Sequence, residues 1–200
     1  SLLEKAALQL SKAERPIIWA GGGVNISDGA EALTALAERL GAPVMTTIEG
    51  RGSIAEDHDL SLGFCSDRPA MAEAFEEADL VLAVGTRFQN YATKVWTLPL
   101  PDHLIHIDAD AGVINRNYQS SLPIVGDARL SLEGILERLT SSSVDNQFVE
   151  RLKKWKGADQ AELLNVQRVG TGSAVAVGHS SVAPELGAIL QGEDALLQGD

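Results

Sequence analysis

The 200-residue chain has one cysteine, Cys65, so neither an internal disulfide nor a Cys-x-x-Cys metal site can form within it. That fits a reducing compartment, and Cys65 reads as a bystander. Long apolar runs are missing too. The longest, Leu80 to Val84 and Ala174 to Val177, fall far short of the ~18 residues a membrane span needs. The opening Ser1-Leu2-Leu3-Glu4-Lys5 has no secretory signal pattern. Basic charge is scarce: 16 Lys and Arg face 28 Asp and Glu, for a net charge of -12. Such an average field repels a polyanion, and the acids are spread along the chain rather than gathered in a tail. These absences argue against nucleic-acid binding, membrane insertion and a disulfide-stapled secreted fold. They leave the expectation of a cytoplasmic protein with a solvated acidic surface.

What is present is the composition of a folded domain. Hydrophobic residues make up 44% and charged residues 22% of the chain, close to the ~45–50% and ~25% of soluble domains, so a real core can form. Short β-branched runs recur: Pro16 to Ala20, Pro43 to Thr47, Asp79 to Val84, Leu104 to Asp108 and Pro123 to Val125. Each has the apolar continuity of a strand buried on both faces. Between them lie segments of helical spacing, clearest in Leu33, Leu36, Ala37 and Leu40. There Ser27 or Asp28 with Glu31 is expected to cap the start and Gly41 to close the end. The gaps between strands suit right-handed crossovers. The expected fold is therefore α/β: a three-layer, doubly wound, Rossmann-like parallel sheet of about six strands with helices on both faces.

After the helix-like Leu130 to Leu139 comes a serine-rich loop, then a basic helical stretch around Phe148, Leu152 and Trp155. The pattern divides the chain into a domain over residues 1–140, a helix and linker over 141–181, and a further start over 182–200. Residues 166 to 181 carry glycines without a period, as a linker does. Val182 to Leu190 then reads as a helix and Ala195 to Gln198 as a buried strand that stops at Gly199-Asp200, so the sequence reads as cut from a longer protein.

Candidate chemistry collects at strand ends, where doubly wound sheets bind ligands. Gly21-Gly22-Gly23 follows the first strand and suits either a tight turn or the approach of backbone N–H groups to a phosphate. Its spacing is not Gly-x-Gly-x-x-Gly, since Ile26 stands three after Gly23, and no acid follows cleanly at Met45-Thr46-Thr47 to hold a ribose. Thr46, Arg87, Asp108 and Asp127 fall at the other strand ends. Asp127 also reads as a helix N-cap, and Arg87 as either a phosphate or base partner or an ordinary surface ion pair. His58, His103, His106 and His179 show no metal spacing, and no nucleophile triad or carboxylate pair can be assembled. No catalytic residue is assigned.

In order, Arg15-Pro16 with Gly21-Gly-Gly-Val24, Gly41-Ala-Pro-Val44, Gly50-Arg-Gly52 with Glu56-Asp-His58 and Leu62-Gly63, Ala78-Asp-Leu80, Val84-Gly-Thr-Arg-Phe88, His106-Ile-Asp108 and Ile124-Val-Gly-Asp127 form a recognisable series. It resembles the central domain of thiamine diphosphate dependent enzymes of the acetolactate synthase, pyruvate oxidase and benzoylformate decarboxylase superfamily. The resemblance covers residues 1–140 and, more faintly, 150–200. It implies a parent of three α/β domains acting on 2-oxo acids, with thiamine diphosphate and magnesium held by a pyrimidine-binding domain before Ser1 and a diphosphate-binding domain after Asp200. It further implies a homo-oligomeric parent in which the central domain packs subunits and, in some members, holds FAD or ADP. Gly21, Gly22, Gly23, Thr46, Arg87, Asp108 and Asp127 match positions near such a nucleotide. Where the acetolactate synthases have Arg-Phe-Asp-Asp-Arg, this chain has Arg87-Phe88-Gln89-Asn90-Tyr91, a departure that argues against FAD, and the crevice is expected to be empty as purified or to accept an adenine nucleotide weakly. Two other readings stay open on sequence: a free-standing nucleotide-binding regulatory module, and an NAD-dependent enzyme of related fold.

Overall fold

A computed structural model describes residues 1–64, 69–154 and 156. Six strands, β1 (Pro16–Ala20), β2 (Val44–Thr46), β3 (Ser61–Phe64), β4 (Leu80–Val84), β5 (Leu104–Asp108) and β6 (Leu122–Val125), form one sheet in the order β3-β2-β1-β4-β5-β6. Every pairing is parallel. The helices are α1 (Leu2–Lys12), α2 (Gly22–Ile26), α3 (Ala30–Leu40), α4 (Pro69–Glu77), α5 (Ala128–Arg138) and α6 over residues 146–154. The chain winds outward from β1 to β3, returns past β1 to lay down β4, and winds the other way to β6. This is the three-layer, doubly wound arrangement expected from the sequence, and its winding reverses between β1 and β4.

Both faces of the sheet are covered, which explains why its central strands are apolar at every position rather than at alternate ones. Side chains still alternate between the faces. Ile18 and Ala20 of β1, with Leu82 and Val84 of β4, pack beneath α1, α3 and α5, against Leu10, Leu33, Leu36, Leu132 and Ile135. Ile17 and Trp19, with Val81 and Ala83, face the opposite layer of Phe75, Phe88, Leu98, Phe148 and Leu152. Trp19 anchors this second layer, its ring 5.1 Å from Phe75 and 5.4 Å from Phe88. Residues Ser1–Gly157 form one compact unit.

The basic stretch after the serine-rich loop belongs to that second layer. Phe148, Val149 and Leu152 on one face of α6 are buried, while Arg151 on its outer face pairs with Glu77. The Lys156 ammonium donates to the carbonyls of Glu56 (2.8 Å) and Ser61 (2.6 Å), tying the chain beyond α6 to the start of β3.

Three local features differ from the sequence expectation. β3 is an additional strand, joined to β2 through a register shift at Val44/Met45, where Gly63 takes a left-handed φ of 74°. The connections from β4 to β5 and from β5 to β6 run through turns rather than helices, so Phe88 and Leu98 do the covering there. The start of α3 is not capped by Ser27 or Asp28: its N-cap is Gly29, with no side-chain cap bond. The single-turn α2 uses the residues up to Ile26, which makes Ser27 its C-cap and bends Asp28 into the left-handed region at φ 55°. The expected stop does form, since Gly41 ends α3 at φ 72°. Cys65, Trp155, the glycine-bearing stretch 166–181, the helix expected over 182–190 and the strand expected over 195–198 lie outside the described residues.

Candidate functional site

At the reversal point the segments leaving β1 and β4 cross at backbone contact. A Cβ on Gly21 would lie 2.2 Å from the Gly85 carbonyl oxygen, and one on Gly23 would lie 2.6 Å from Gly85 Cα. Gly85 itself turns at φ 60°, a conformation side-chain-bearing residues rarely adopt. Two hydrogen bonds seal the crossing: Gly21 N–H donates to the Val84 carbonyl (2.8 Å) and Gly23 N–H to the Gly85 carbonyl (3.0 Å). Among the described residues only the Gly22 amide of the three is left without a protein acceptor.

Above this crossing opens a cleft of about 420 Å³, within the ~300–1,000 Å³ range of small-molecule sites. Of the residues expected from the sequence, Gly22, Gly23, Arg87, Asp108 and Asp127 line it. Gly21 is buried behind the crossing, and Thr46 lies within β2, so its neighbour Thr47 reaches the cleft instead. Thr47 is itself engaged: its Oγ1 accepts from Gly50 N–H at 3.0 Å. The Arg87 guanidinium has no ion-pair or hydrogen-bond partner among the described residues, so the surface ion pair considered for it is not formed there.

The two aspartates are partly committed. Asp127 caps α5, one carboxylate oxygen accepting from Leu130 N–H at 2.9 Å. Asp108 folds its own turn, Oδ1 accepting from Asp110 N–H at 2.9 Å. Beneath Arg87 lies the fully buried His106, whose Nε2–H donates to the Thr86 carbonyl at 3.0 Å, because a carbonyl can only accept. Burial lowers the pKa of this imidazole, against an opposing push from that bond and from Asp108, so the ring is neutral and serves as a strut for the segment that carries Arg87.

Sequence reasoning missed Glu49. It stands two residues beyond Thr47 and lines the cleft beside the glycine turn, its Cβ 2.9 Å from where a Gly22 Cβ would lie. Asn25 of α2 holds that stretch in place, its amide donating to the carbonyls of Glu49 (2.9 Å) and Arg51 (3.0 Å). Asp110 and the apolar Ile26 and Val113 complete the walls. The signal was an acid following the second strand after a short loop rather than on its last residue.

These features fit a dinucleotide such as FAD poorly. Two of three glycine amides are spent within the protein, and the charged lining is four carboxylates against Arg87 alone. A diphosphate needs the reverse. Among the described residues no group of three or more His, Cys, Asp or Glu side chains is placed to hold a metal ion, and no helix is long and apolar enough to cross a membrane.

The winding reversal and the cleft above it define a three-layer, doubly wound α/β domain. The comparisons with known proteins are more specific. Residues 3–135 match the family described as thiamine pyrophosphate enzyme, central domain, and the chain belongs to that family. It is 38% identical over 159 residues to a probable acetolactate synthase large subunit of Methanocaldococcus jannaschii, covering 77% of this chain and 27% of that protein. It is 42% identical over 146 residues to a probable 2-ketoarginine decarboxylase of Pseudomonas aeruginosa, covering 72% of this chain and 25% of the relative. The acetolactate synthase large subunit of Corynebacterium glutamicum is 34% identical over 161 residues, with 77% of this chain and 26% of that subunit covered. The chain thus spans about a quarter of the length of these relatives.

Proposed function

We propose that the chain serves as the central, scaffolding portion of a larger thiamine diphosphate dependent enzyme that cleaves or joins a carbon–carbon bond beside a 2-oxo acid carbonyl. The observation that carries this is the family match over residues 3–135 together with relatives of which the matched segment is only about a quarter. In that parent thiamine diphosphate, bound together with magnesium, would supply the carbanion-stabilising group. Residues 1–140 are the central domain, 141–181 a helix and linker, and 182–200 the start of the diphosphate-binding domain. The parent is a cytoplasmic homo-oligomer. No residue of this chain is assigned a catalytic role. The cleft over Gly22 and Gly23, with Thr47, Arg87, Asp108 and Asp127 around it, accepts an adenine nucleotide weakly and does not retain FAD.

The test has two arms. The 200-residue chain, titrated with thiamine diphosphate and magnesium by calorimetry, is expected to show no saturable binding and no turnover of 2-oxo acids. The full-length parent, assayed on a panel of 2-oxo acids with both additives, is expected to be active. An inactive, cofactor-blind parent would overturn the proposal and favour the regulatory-module reading.

A further inference from the structure

We infer that the cleft is built for the ribose of an uncharged ribonucleoside rather than for phosphates, with Glu49 as the acceptor of the ribose hydroxyls. The inference rests on the proposed adenine-ligand reading of the same cleft. It begins from a general property of doubly wound sheets: a carboxylate just beyond the second strand, beside the glycine turn, accepts from a ribose diol because two adjacent hydroxyls match two carboxylate oxygens. Glu49 occupies that place. Its backbone is fixed by Asn25, its neighbour Gly50 is pressed against β1 so closely that a Cβ there would lie 2.2 Å from the Ala20 carbonyl oxygen, and Thr47 N–H donates to that same oxygen at 2.9 Å. The Glu49 carboxylate is exposed and has no partner among the described residues, so both its oxygens are available.

The remainder of the lining points the same way. Ile26 is 88% exposed at the lip although it is aliphatic, and Val113 lies within the wall. Together they offer apolar contact to a flat base. Phosphates are disfavoured by Glu49, Asp108, Asp110 and Asp127, by the loss of the Gly21 and Gly23 amides to Val84 and Gly85, and by the single turn of α2. Arg87 alone does not reverse that balance.

The test uses calorimetric titration of the 200-residue chain with adenosine, 2′-deoxyadenosine and ADP at low salt. Adenosine is expected to bind at least about threefold more tightly than ADP, since the cleft's excess negative charge opposes the phosphates. Loss of the 2′-hydroxyl is expected to weaken binding about tenfold, the scale of one hydrogen bond to a charged group. Glu49→Gln should weaken adenosine by a similar factor while leaving ADP unchanged or tighter, and circular dichroism of this surface variant should match the wild type. ADP binding more tightly than adenosine would overturn the inference while leaving the adenine-nucleotide reading intact. Equal binding of the 2′-deoxy compound would remove Glu49 from its role. No binding of any of the three would overturn both readings of the cleft without touching membership of the family.

Discussion

The crossing of the β1 and β4 exits predicts that Gly21→Ala is among the most damaging single methyl additions in the domain. The added Cβ would lie 2.2 Å from the Gly85 carbonyl oxygen and 2.7 Å from Thr86 Cα, both backbone atoms that cannot rotate away. Relief requires the two segments to part by about 1 Å, since carbon and oxygen are comfortable only beyond ~3.2 Å. Parting them breaks the bonds from Gly21 to Val84 and from Gly23 to Gly85, each worth about 1 kcal/mol net. Overpacking adds about 1–3 kcal/mol, so the total comes to about 3–5 kcal/mol, a large share of the ~5–15 kcal/mol that holds a domain together.

Gly41→Ala supplies the comparison. Gly41 is left-handed at φ 72° with nothing within 4 Å of its added Cβ, so it isolates conformational strain from collision. It should cost about 1–2 kcal/mol. Urea unfolding followed by the fluorescence of the buried Trp19 and by far-ultraviolet circular dichroism would measure both. If Gly21→Ala costs no more than Gly41→Ala, the backbone crossing is not what fixes the cleft, and the account of its glycines fails.

Two further outcomes follow from the packing. His106 has its pKa lowered from the ordinary 6.5 by burial, so on acidification the unfolded chain takes up the proton first; its share of stability is whole above pH 6.5 and is lost as the pH falls from there toward the folded-state pKa. Urea midpoints between pH 8 and pH 5 should fall more steeply for the wild type than for His106→Gln, and parallel slopes would contradict the neutral strut. Phe148, fully buried against the second face of the sheet, should cost about 3–5 kcal/mol on conversion to Ala, as aromatic core truncations do. A change below about 1 kcal/mol would mean that α6 is not part of the cooperative unit.

The legibility of the fold followed the burial of each strand. β1 and β4 are apolar on both sides of the sheet, and their runs stand out in the sequence. β3 is an edge strand of four residues with a glycine inside it, Ser61-Leu62-Gly63-Phe64, so neither continuity nor alternation marks it. Its pairing is set by tertiary contact with β2 through the shift at Val44/Met45. The capping expectation at Ser27 and Asp28 failed for a related reason. A local S/D-x-x-E spacing has no knowledge of the extra turn α2, which the crossing at Gly23 forces into the same stretch of chain. Asp127, with no such competitor, caps α5 as its sequence position implies.

The cleft was legible in position but not in chemistry, and one physical cause covers both. The glycines that mark it in the sequence are needed because two backbones meet there, as the 2.2 Å and 2.6 Å approaches to Gly85 require. Backbones that close must satisfy one another's polar groups, since a buried amide without an acceptor costs more than a hydrogen bond returns. The N–H groups of Gly21 and Gly23 are therefore turned into the protein, and the feature that suggests a phosphate cradle is the one that uses up its donors. Selectivity passes to side chains on the loops above. Glu49 and Asp110 were hidden from a reading confined to strand ends, because each stands two residues past the nearest predicted end, Thr47 or Asp108. In a doubly wound sheet whose glycine turn is packed against its neighbour, the charge of those loops, rather than the number of glycines, decides what the cleft can hold.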